Sequence, residues 1–287
     1  MTRAVRIVEV GPRDGLQNES HLVAASDKIE LINRLASSGL KTIEATSFVH
    51  PRWVPQLADA AVVMDGIQRV AGVTYAALVP NIKGMDAALK HSADEVAIFA
   101  AASEAFSQKN INCSIAESFA RFAPIVEMAR QQKIPVRGYV STVVECPYSG
   151  QVSAQQVGDV ARHLIELGCY EVSLGDTLGS ALPEQVDSLL AHLLRDLDVG
   201  QLAGHFHDTL GRALDNVEVC LAAGLRTFDA SIGGLGGCPY APGAKGNVAT
   251  DAVCELMADR GFETGVDRGA LAAASEFARQ IIRNSAS

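Results

Sequence analysis

Two histidines separated by one residue stand in the segment GHFHD, residues 204–208, at the end of the apolar run QLAGHF. Side chains of a β-strand alternate between its two faces, so His205 and His207 would point together towards one spot. A pair of this kind can equally cap a strand and hydrogen-bond to backbone groups, because histidine is only intermediate in its tendency to be buried. Further ligands that converge on the same spot would favour a metal site.

The segment GPRDGLQNE, which follows the first strand-like run, places Arg13 beside Asp14. Together with the two histidines, Asp14 would complete a set of one carboxylate and two imidazoles. Such a set without thiolate suits Mg²⁺ or Mn²⁺ with open positions for substrate oxygens better than a closed zinc site. The alternative is that Asp14 pairs with Arg13 or caps a helix.

Arg13 has a guanidinium group, whose fixed fork of donors suits a carboxylate or an oxyanion. It could therefore stabilise an enolate that develops during a reaction. A salt bridge to Glu44 or Asp176 that only braces the site is the alternative at this point.

The stretch 233–247 contains six glycines and Cys238. Glycine allows mobility and close backbone approach, which active-site lids require. A cysteine in such a loop can act as an acid or base, although a harmless loop thiol is equally compatible with the pattern. The other five cysteines form no CxxC pair, and we expect them to be reduced and to fill apolar space, Cys169 and Cys220 in particular.

Eight strand-like runs position these residues, and they lie at 5–10, 42–47, 73–78, 95–100, 136–142, 170–175, 202–207 and 227–232. Segments with helical apolar spacing lie between them, at 26–38, 112–132, 153–167, 183–197 and 209–223. Three of these segments pair a capping residue with a closing glycine: Ser26 with Gly39, Ser153 with Gly168, and Thr209 with Gly224. The alternation predicts an α/β fold, a (β/α)8 TIM barrel with an extra C-terminal helix, as a single catalytic domain over residues 1–287. A doubly wound open sheet is less favoured, because no GxGxxG follows the first strand.

Barrels of this class carry their chemistry at the carboxyl ends of the strands. We therefore expect substrate contacts from Arg13, Gln17, Ser47, Arg137, Tyr139, Ser173, Asp176 and Thr177.

The net charge of −9 and the pI near 5.3 argue against a nucleic-acid or anionic membrane surface. No apolar run approaches the length of roughly 18 residues that a membrane span needs, and no signal segment precedes the first strand. We therefore expect a cytoplasmic protein.

Long motifs, among them VEVGPRDGLQNE, IEATSFVHPRWVPQ, GCYEVSLGDT, HFHDT and GLGGCPYAPGAKGN, make the chain resemble the hydroxymethylglutaryl-CoA (HMG-CoA) lyases of the pyruvate-carboxyltransferase-like barrel group. The resemblance implies a retro-Claisen cleavage of HMG-CoA to acetyl-CoA and acetoacetate that depends on Mg²⁺ or Mn²⁺. It also implies an acyl-CoA substrate, a homodimer and a place in leucine degradation. The CoA phosphates would need local donors, and the predicted loop SEAFSQKN at 103–110 offers Lys109 and Asn110.

By the same resemblance, the metal ligands are Asp14, His205, His207 and Asn247, and the catalytic residues are Arg13, Asp14, Glu44, His205 and Cys238. Arg13 would stabilise the enolate, Cys238 would act as the acid or base, and Glu44 would support the cluster. Two departures, Thr142 and Leu210, leave the metal set intact.

Three other functions remain open. A lyase of the same mechanism could act on a longer 3-hydroxy-3-alkylglutaryl-CoA. A related metal-dependent aldolase could cleave a hydroxy keto acid without CoA. A barrel that binds metal without turnover could serve as a scaffold.

Overall fold

Eight parallel β-strands close into a barrel in the computed structural model, which describes residues 3–236 and 246–285. The barrel strands are β1 (Arg6–Glu9), β2 (Thr42–Ser47), β3 (Thr74–Leu78), β4 (Glu95–Ala101), β5 (Val136–Ser141), β8 (Glu171–Asp176), β9 (Leu202–Phe206) and β10 (Thr227–Ala230). The order around the barrel is β1-β10-β9-β8-β5-β4-β3-β2, so that each strand pairs with its neighbours in sequence and the last closes on the first. All eight predicted strands are confirmed to within two residues at each end.

Helices cover the outside of the barrel, which is why the strands are buried on both faces and read as continuous apolar runs. They are α1 (Ala25–Ser37), α2 (Ala60–Gly66), α3 (Ile82–Lys90), α4 (Glu104–Ile111), α5 (Ile115–Gln132), α6 (Ala154–Leu167), α7 (Pro183–Leu193), α8 (Ala213–Ala223), α9 (Thr250–Asp259) and α10 (Arg268–Ser285). The predicted extra C-terminal helix is α10, which packs against α1. A short antiparallel pair, β6 (Glu145–Cys146) and β7 (Gly150–Gln151), lies between β5 and α6.

The predicted loop at 103–110 is wrong, because most of it forms α4. Ser103 caps this helix by accepting a hydrogen bond from the Phe106 backbone N–H, and Asn112 ends it in the left-handed conformation with φ 49°. Phe106 and Ser107 are its buried residues. So few buried positions in eight residues leave no clear apolar period, which explains the error.

Two helix starts also differ from the predicted ones. Helix α1 begins at Ala25 after Ala24, so Ser26 lies inside the helix, and α8 begins at Ala213 after Arg212 instead of Thr209. Ser153 does cap α6 in a capping box with Gln156, and Gly168 follows that helix. Of the three predicted capping residues, only Ser153 marks the start of its helix, and it is the one whose capping-box partner, Gln156, is present in the sequence.

The five described cysteines are free and buried, as expected for Cys169 and Cys220. Within the described ranges, no helix has both the length and the apolar character that crossing a bilayer requires.

Candidate metal centre and active site

The site begins at the carboxyl end of β1, where residues Gly11–Gly15 form a π-helical turn. The backbone N–H groups of Asp14 and Gly15 both donate to the Val10 carbonyl, at 2.7 and 3.1 Å. Gly11 is required for its small size, because a Cβ there would lie 2.6 Å from Glu9 Oε1. Single π-turns are frequent at functional sites, and this one directs Arg13 and Asp14 to the mouth of the barrel.

Asp14, His205 and His207 come together as predicted. Their ligand atoms all lie within 4.8 Å of one another, and the Nε2 atoms of both histidines are 3.9 Å from Asp14 Oδ2. His205 is buried and the other two are partly buried. One carboxylate and two imidazoles at this separation fit a divalent cation, and the donor set agrees with the chemistry expected from the sequence.

Asn247 lies at the same cluster. It forms an isolated backbone bridge with His207, and its side-chain Nδ2 donates to Asp14 Oδ2 at 2.8 Å. A rotation of the side-chain amide by 180° exchanges its nitrogen and its oxygen. The oxygen of Asn247 would then face Asp14 and the two histidines. The position agrees with the predicted role of Asn247 as a ligand, and the role itself stays a prediction.

Arg13 is buried and holds two carboxylates. Its Nε donates to Glu44 Oε2 at 2.7 Å and its Nη1 donates to Asp14 Oδ1 at 2.5 Å. The alternative pairings with Asp14 and with Glu44 therefore both occur. Burial opposes the charge of the guanidinium, but Glu44 and Asp14 outweigh it and raise the pKa of Arg13 above its usual value. Arg13 is thus a fixed cation with three N–H donors not used by these two bonds.

The two carboxylates respond differently to this cation. Burial raises the pKa of Asp14, but the charge of Arg13 and the nearby imidazoles of His207 and His205 outweigh it, and the pKa lies well below its usual range. For Glu44, burial dominates over Arg13 and the pKa is raised. Asp14 is therefore ionised, as a metal ligand must be.

Tyr139 lies on the other side of Arg13 and Glu44. Its hydroxyl donates to Glu44 Oε2 at 3.2 Å, and the Arg13 guanidinium stands 5.4 Å from the ring centroid. Glu44 Oε1 is buried, and the described residues offer it no hydrogen-bond partner. These three side chains form one rigid wall of the site.

Asp229 on β10 was missed by the sequence analysis. Its Oδ2 lies 3.1 Å from Nδ1 of His205 and accepts from Ser173 Oγ at 2.7 Å, while Arg137 donates to both carboxylate oxygens at 2.7 and 3.2 Å. A sequence signal was available, because an aspartate in the apolar strand TFDA is costly to bury unless it is paired.

Arg137 and Ser173, predicted to contact substrate, thus have their side chains committed to Asp229 within the barrel, and Arg137 also donates to Glu171 at 2.7 Å. These contacts favour a supporting role for both residues.

The remaining predicted substrate contacts stay predictions. Asp176 accepts hydrogen bonds from the backbone N–H groups of Gly179, Ser180 and Ala181, which fixes its own loop. Ser47 and Thr177 each accept a backbone N–H, from Val49 and Thr142. Gln17 is partly buried just after the π-turn.

Lys109 and Asn110 are exposed near the end of α4, so a ligand could reach them. No described contact joins them to Asp14, His205 or His207. Cys238 lies outside the described residues.

Comparison with known proteins agrees with this architecture. The HMGL-like family model matches residues 4–278. A hydroxymethylglutaryl-CoA lyase of Pseudomonas mevalonii is 54% identical over 94% of this chain and 90% of its own length. A 3-hydroxy-3-isohexenylglutaryl-CoA/hydroxy-methylglutaryl-CoA lyase of Pseudomonas aeruginosa is 53% identical over 96% of this chain and 92% of its own.

Solved structures give the same result. The HMG-CoA lyase of Brucella melitensis superimposes with a TM-score of 0.96 at 55% identity, covering 98% of this chain and 99% of that one. An HMG-CoA lyase of Acinetobacter baumannii in complex with coenzyme A and 3-methylmalate has a TM-score of 0.93 at 39% identity, over 98% and 92% of the two chains. With a family match over nearly its whole length and relatives above 50% identity, this chain belongs to the HMGL-like family of HMG-CoA lyases.

Proposed function

We propose that this protein cleaves HMG-CoA to acetyl-CoA and acetoacetate with a divalent cation, Mg²⁺ or Mn²⁺. The observation that carries the proposal is the convergence of Asp14, His205 and His207 at the barrel mouth, with Arg13 bound to Asp14. A cation-binding set and a fixed guanidinium are the two electrophilic groups that this cleavage needs. The acyl-CoA substrate is supported by family membership and by the coenzyme A complex of the Acinetobacter relative.

Asp14, His205, His207 and Asn247 would hold the cation. When bound, the cation polarises substrate oxygens and lowers the pKa of the tertiary hydroxyl. Arg13 holds Asp14 ionised, so that Asp14 supplies negative charge and is a weak base.

The reaction breaks the carbon–carbon bond between the tertiary carbinol carbon and the carbon next to the thioester. The hydroxyl passes its proton to a neighbouring histidine, the carbinol carbon becomes the ketone carbon of acetoacetate, and the electrons of the broken bond pass to the thioester as an enolate. Arg13 would donate to the enolate oxygen with the N–H groups that its bonds to Glu44 and Asp14 do not use. Cys238 then protonates the carbon of the enolate to give acetyl-CoA.

A rigid guanidinium makes this stabilisation effective. Glu44 and Tyr139 fix Arg13 from two sides, through a 2.7 Å hydrogen bond and through stacking on the ring. Donors that are already oriented do not need to reorganise as charge develops, which is the main source of electrostatic rate enhancement. For the CoA moiety, Lys109 and Asn110 remain the proposed contacts.

The test is a coupled assay of acetyl-CoA release from HMG-CoA, with Mg²⁺ or Mn²⁺ and with chelator, on the wild type and on His205→Ala. Turnover that requires the cation and is lost in the variant would support the lyase and its cation site together. A variant at a half-buried histidine away from the cluster, His192→Ala on α7, is the matched control and should retain the activity. Absence of HMG-CoA cleavage by a wild type that still binds Mn²⁺ would refute the substrate assignment.

A longer 3-hydroxy-3-alkylglutaryl-CoA is the second candidate substrate, because the Pseudomonas aeruginosa relative carries an isohexenylglutaryl-CoA activity in its name. Comparing kcat/KM for the methyl and isohexenyl substrates would decide between them. The proposal also includes a homodimer, a cytoplasmic location and a role in leucine degradation, and sedimentation velocity would measure the first of these.

A further inference from the structure

Asp229 occupies a buried position directly behind His205. It is 2% exposed, and in the register of β9 and β10 it is the cross-strand partner of His205. The distance from its Oδ2 to His205 Nδ1 is 3.1 Å. On the far side, Arg137 and Ser173 hold the same carboxylate through three hydrogen bonds. The aspartate therefore cannot turn away from the histidine without breaking this network.

The protonation state of this carboxylate follows from its neighbours. Arg137 donates to both carboxylate oxygens, at 3.2 and 2.7 Å, and this permanently charged guanidinium keeps the carboxylate ionised. An ionised carboxylate is an acceptor only, so the hydrogen in the contact with His205 must sit on Nδ1. A neutral imidazole has one N–H, which leaves the lone pair on Nε2.

That Nε2 atom faces the other two predicted metal ligands, Asp14 and His207. It lies 3.9 Å from Asp14 Oδ2, which is too long for a hydrogen bond. The Nε2 lone pair is therefore not bound to Asp14, and it points into the space between Asp14, His205 and His207. Outer carboxylates that bind the second ring nitrogen of a metal-binding histidine are a recurring means of fixing its tautomer and its orientation.

We propose that Asp229 is a positioning residue that holds His205 in the tautomer with hydrogen on Nδ1, so that Nε2 is ready to bind the divalent cation. Arg137 and Ser173 act through Asp229 by holding its carboxylate ionised and in place. This inference rests on the proposed function in one respect, namely that the cluster binds a cation.

The test uses Asp229→Asn in the full-length protein. The amide has the same shape, but it presents an NH₂ group to which His205 Nδ1 would act as acceptor, and the ring proton would move to Nε2. In the cation-free protein, ¹⁵N-histidine NMR should show His205 protonated at Nδ1 in the wild type and at Nε2 in the variant, with His205→Gln identifying the resonance. The affinity for Mn²⁺, measured by calorimetry, should fall by about 10–100-fold.

Glu171→Gln is the matched control. Glu171 is also a buried carboxylate bound to Arg137, but its described contacts are with Arg137 and Arg6 and not with His205. It removes the same charge from the same network. We expect it to keep the wild-type tautomer and to change the Mn²⁺ affinity by less than about threefold, because Glu171 makes no described contact with His205 and Asp229 stays in place.

Two results would overturn the proposal. One is a wild-type His205 protonated at Nε2, which needs no variant and so holds even if Asp229→Asn does not fold. The other is an equal loss of Mn²⁺ affinity in both variants, which would indicate general damage to the barrel. Failure to cleave HMG-CoA, with the tautomer and the Mn²⁺ results as expected, would contradict only the substrate assignment and would leave the role of Asp229 supported.

Discussion

Replacing Arg13 with lysine separates the charge of this side chain from the shape of its guanidinium. Arg13 donates one N–H to Glu44 and one to Asp14, and among the described residues no other bond to its remaining three donors is seen, so we assign these to the substrate. A lysine ammonium has three donors on one atom, and the two carboxylates would occupy at least two of them. The positive charge persists, so neither Glu44 nor Asp14 is left without a cationic partner, and we expect the variant to fold.

The expected loss lies in the rate of the chemical step. Removing one preorganised donor to a developing oxyanion costs about 10²–10³ in kcat, or about 2.7–4 kcal/mol. We therefore expect Arg13→Lys to lower kcat by that factor in the acetyl-CoA release assay at saturating Mn²⁺. The affinity for Mn²⁺ should change by less than about tenfold, because Asp14 keeps a cationic neighbour.

Arg69→Lys provides the matched control. Arg69 also pairs with a carboxylate, Asp94 at 2.9 Å, and also stacks over a tyrosine, Tyr75 at 5.2 Å, but it lies away from the cluster. It should leave kcat unchanged. If Arg13→Lys retained kcat within about threefold of the wild type, the guanidinium fork would not be stabilising the enolate and the mechanism would be refuted.

Three further outcomes are expected. Burial raises the pKa of Glu9 from 4.5 to about 7 in the folded protein. Between these two pH values the folded protein holds a proton that the unfolded chain has released, so the stability of the fold decreases as the pH rises. Glu9→Gln should remove about 2 kcal/mol of the change between about pH 5.5 and 8 in urea unfolding. Gly11→Ala would place a Cβ 2.6 Å from Glu9 Oε1, and thermal unfolding should show a loss of about 1–3 kcal/mol together with weaker Mn²⁺ binding. Mn²⁺ at 100 times its Kd should stabilise the wild type by about 2.7 kcal/mol over the chelated protein, and His207→Ala should lose this gain.

Each of these has a result that would contradict it. An unchanged pH dependence in Glu9→Gln would mean that another group titrates between pH 5.5 and 8. A Gly11→Ala protein as stable as the wild type would show that the π-turn can move without cost. Full stabilisation of His207→Ala by Mn²⁺ would place the cation away from this cluster.

The periodicity of the chain was enough to predict the barrel, because each strand is buried on both faces and reads as an apolar run. The same local rule brought His205 and His207 to one side of β9, since their spacing of two residues matches the period of a strand. In any parallel barrel the carboxyl ends of all strands lie at the same mouth, so the position of Asp14 near the two histidines was also predictable. Helix α4 was not predicted, because its buried face is too small to produce a helical hydrophobic period in the sequence.

The tertiary structure alone decided which charged groups pair. Sequence left Arg13 with Glu44 or Asp176 as partners, and the register of β1 and β2 places it at Glu44 while Asp176 binds its own loop. The contact between His205 and Asp229 likewise follows from the register of β9 and β10. Pairing between strands joins residues that are distant in sequence, and only the assembled barrel shows which of them face each other. Strand identity and side-chain direction are local properties, which the sequence determines by itself.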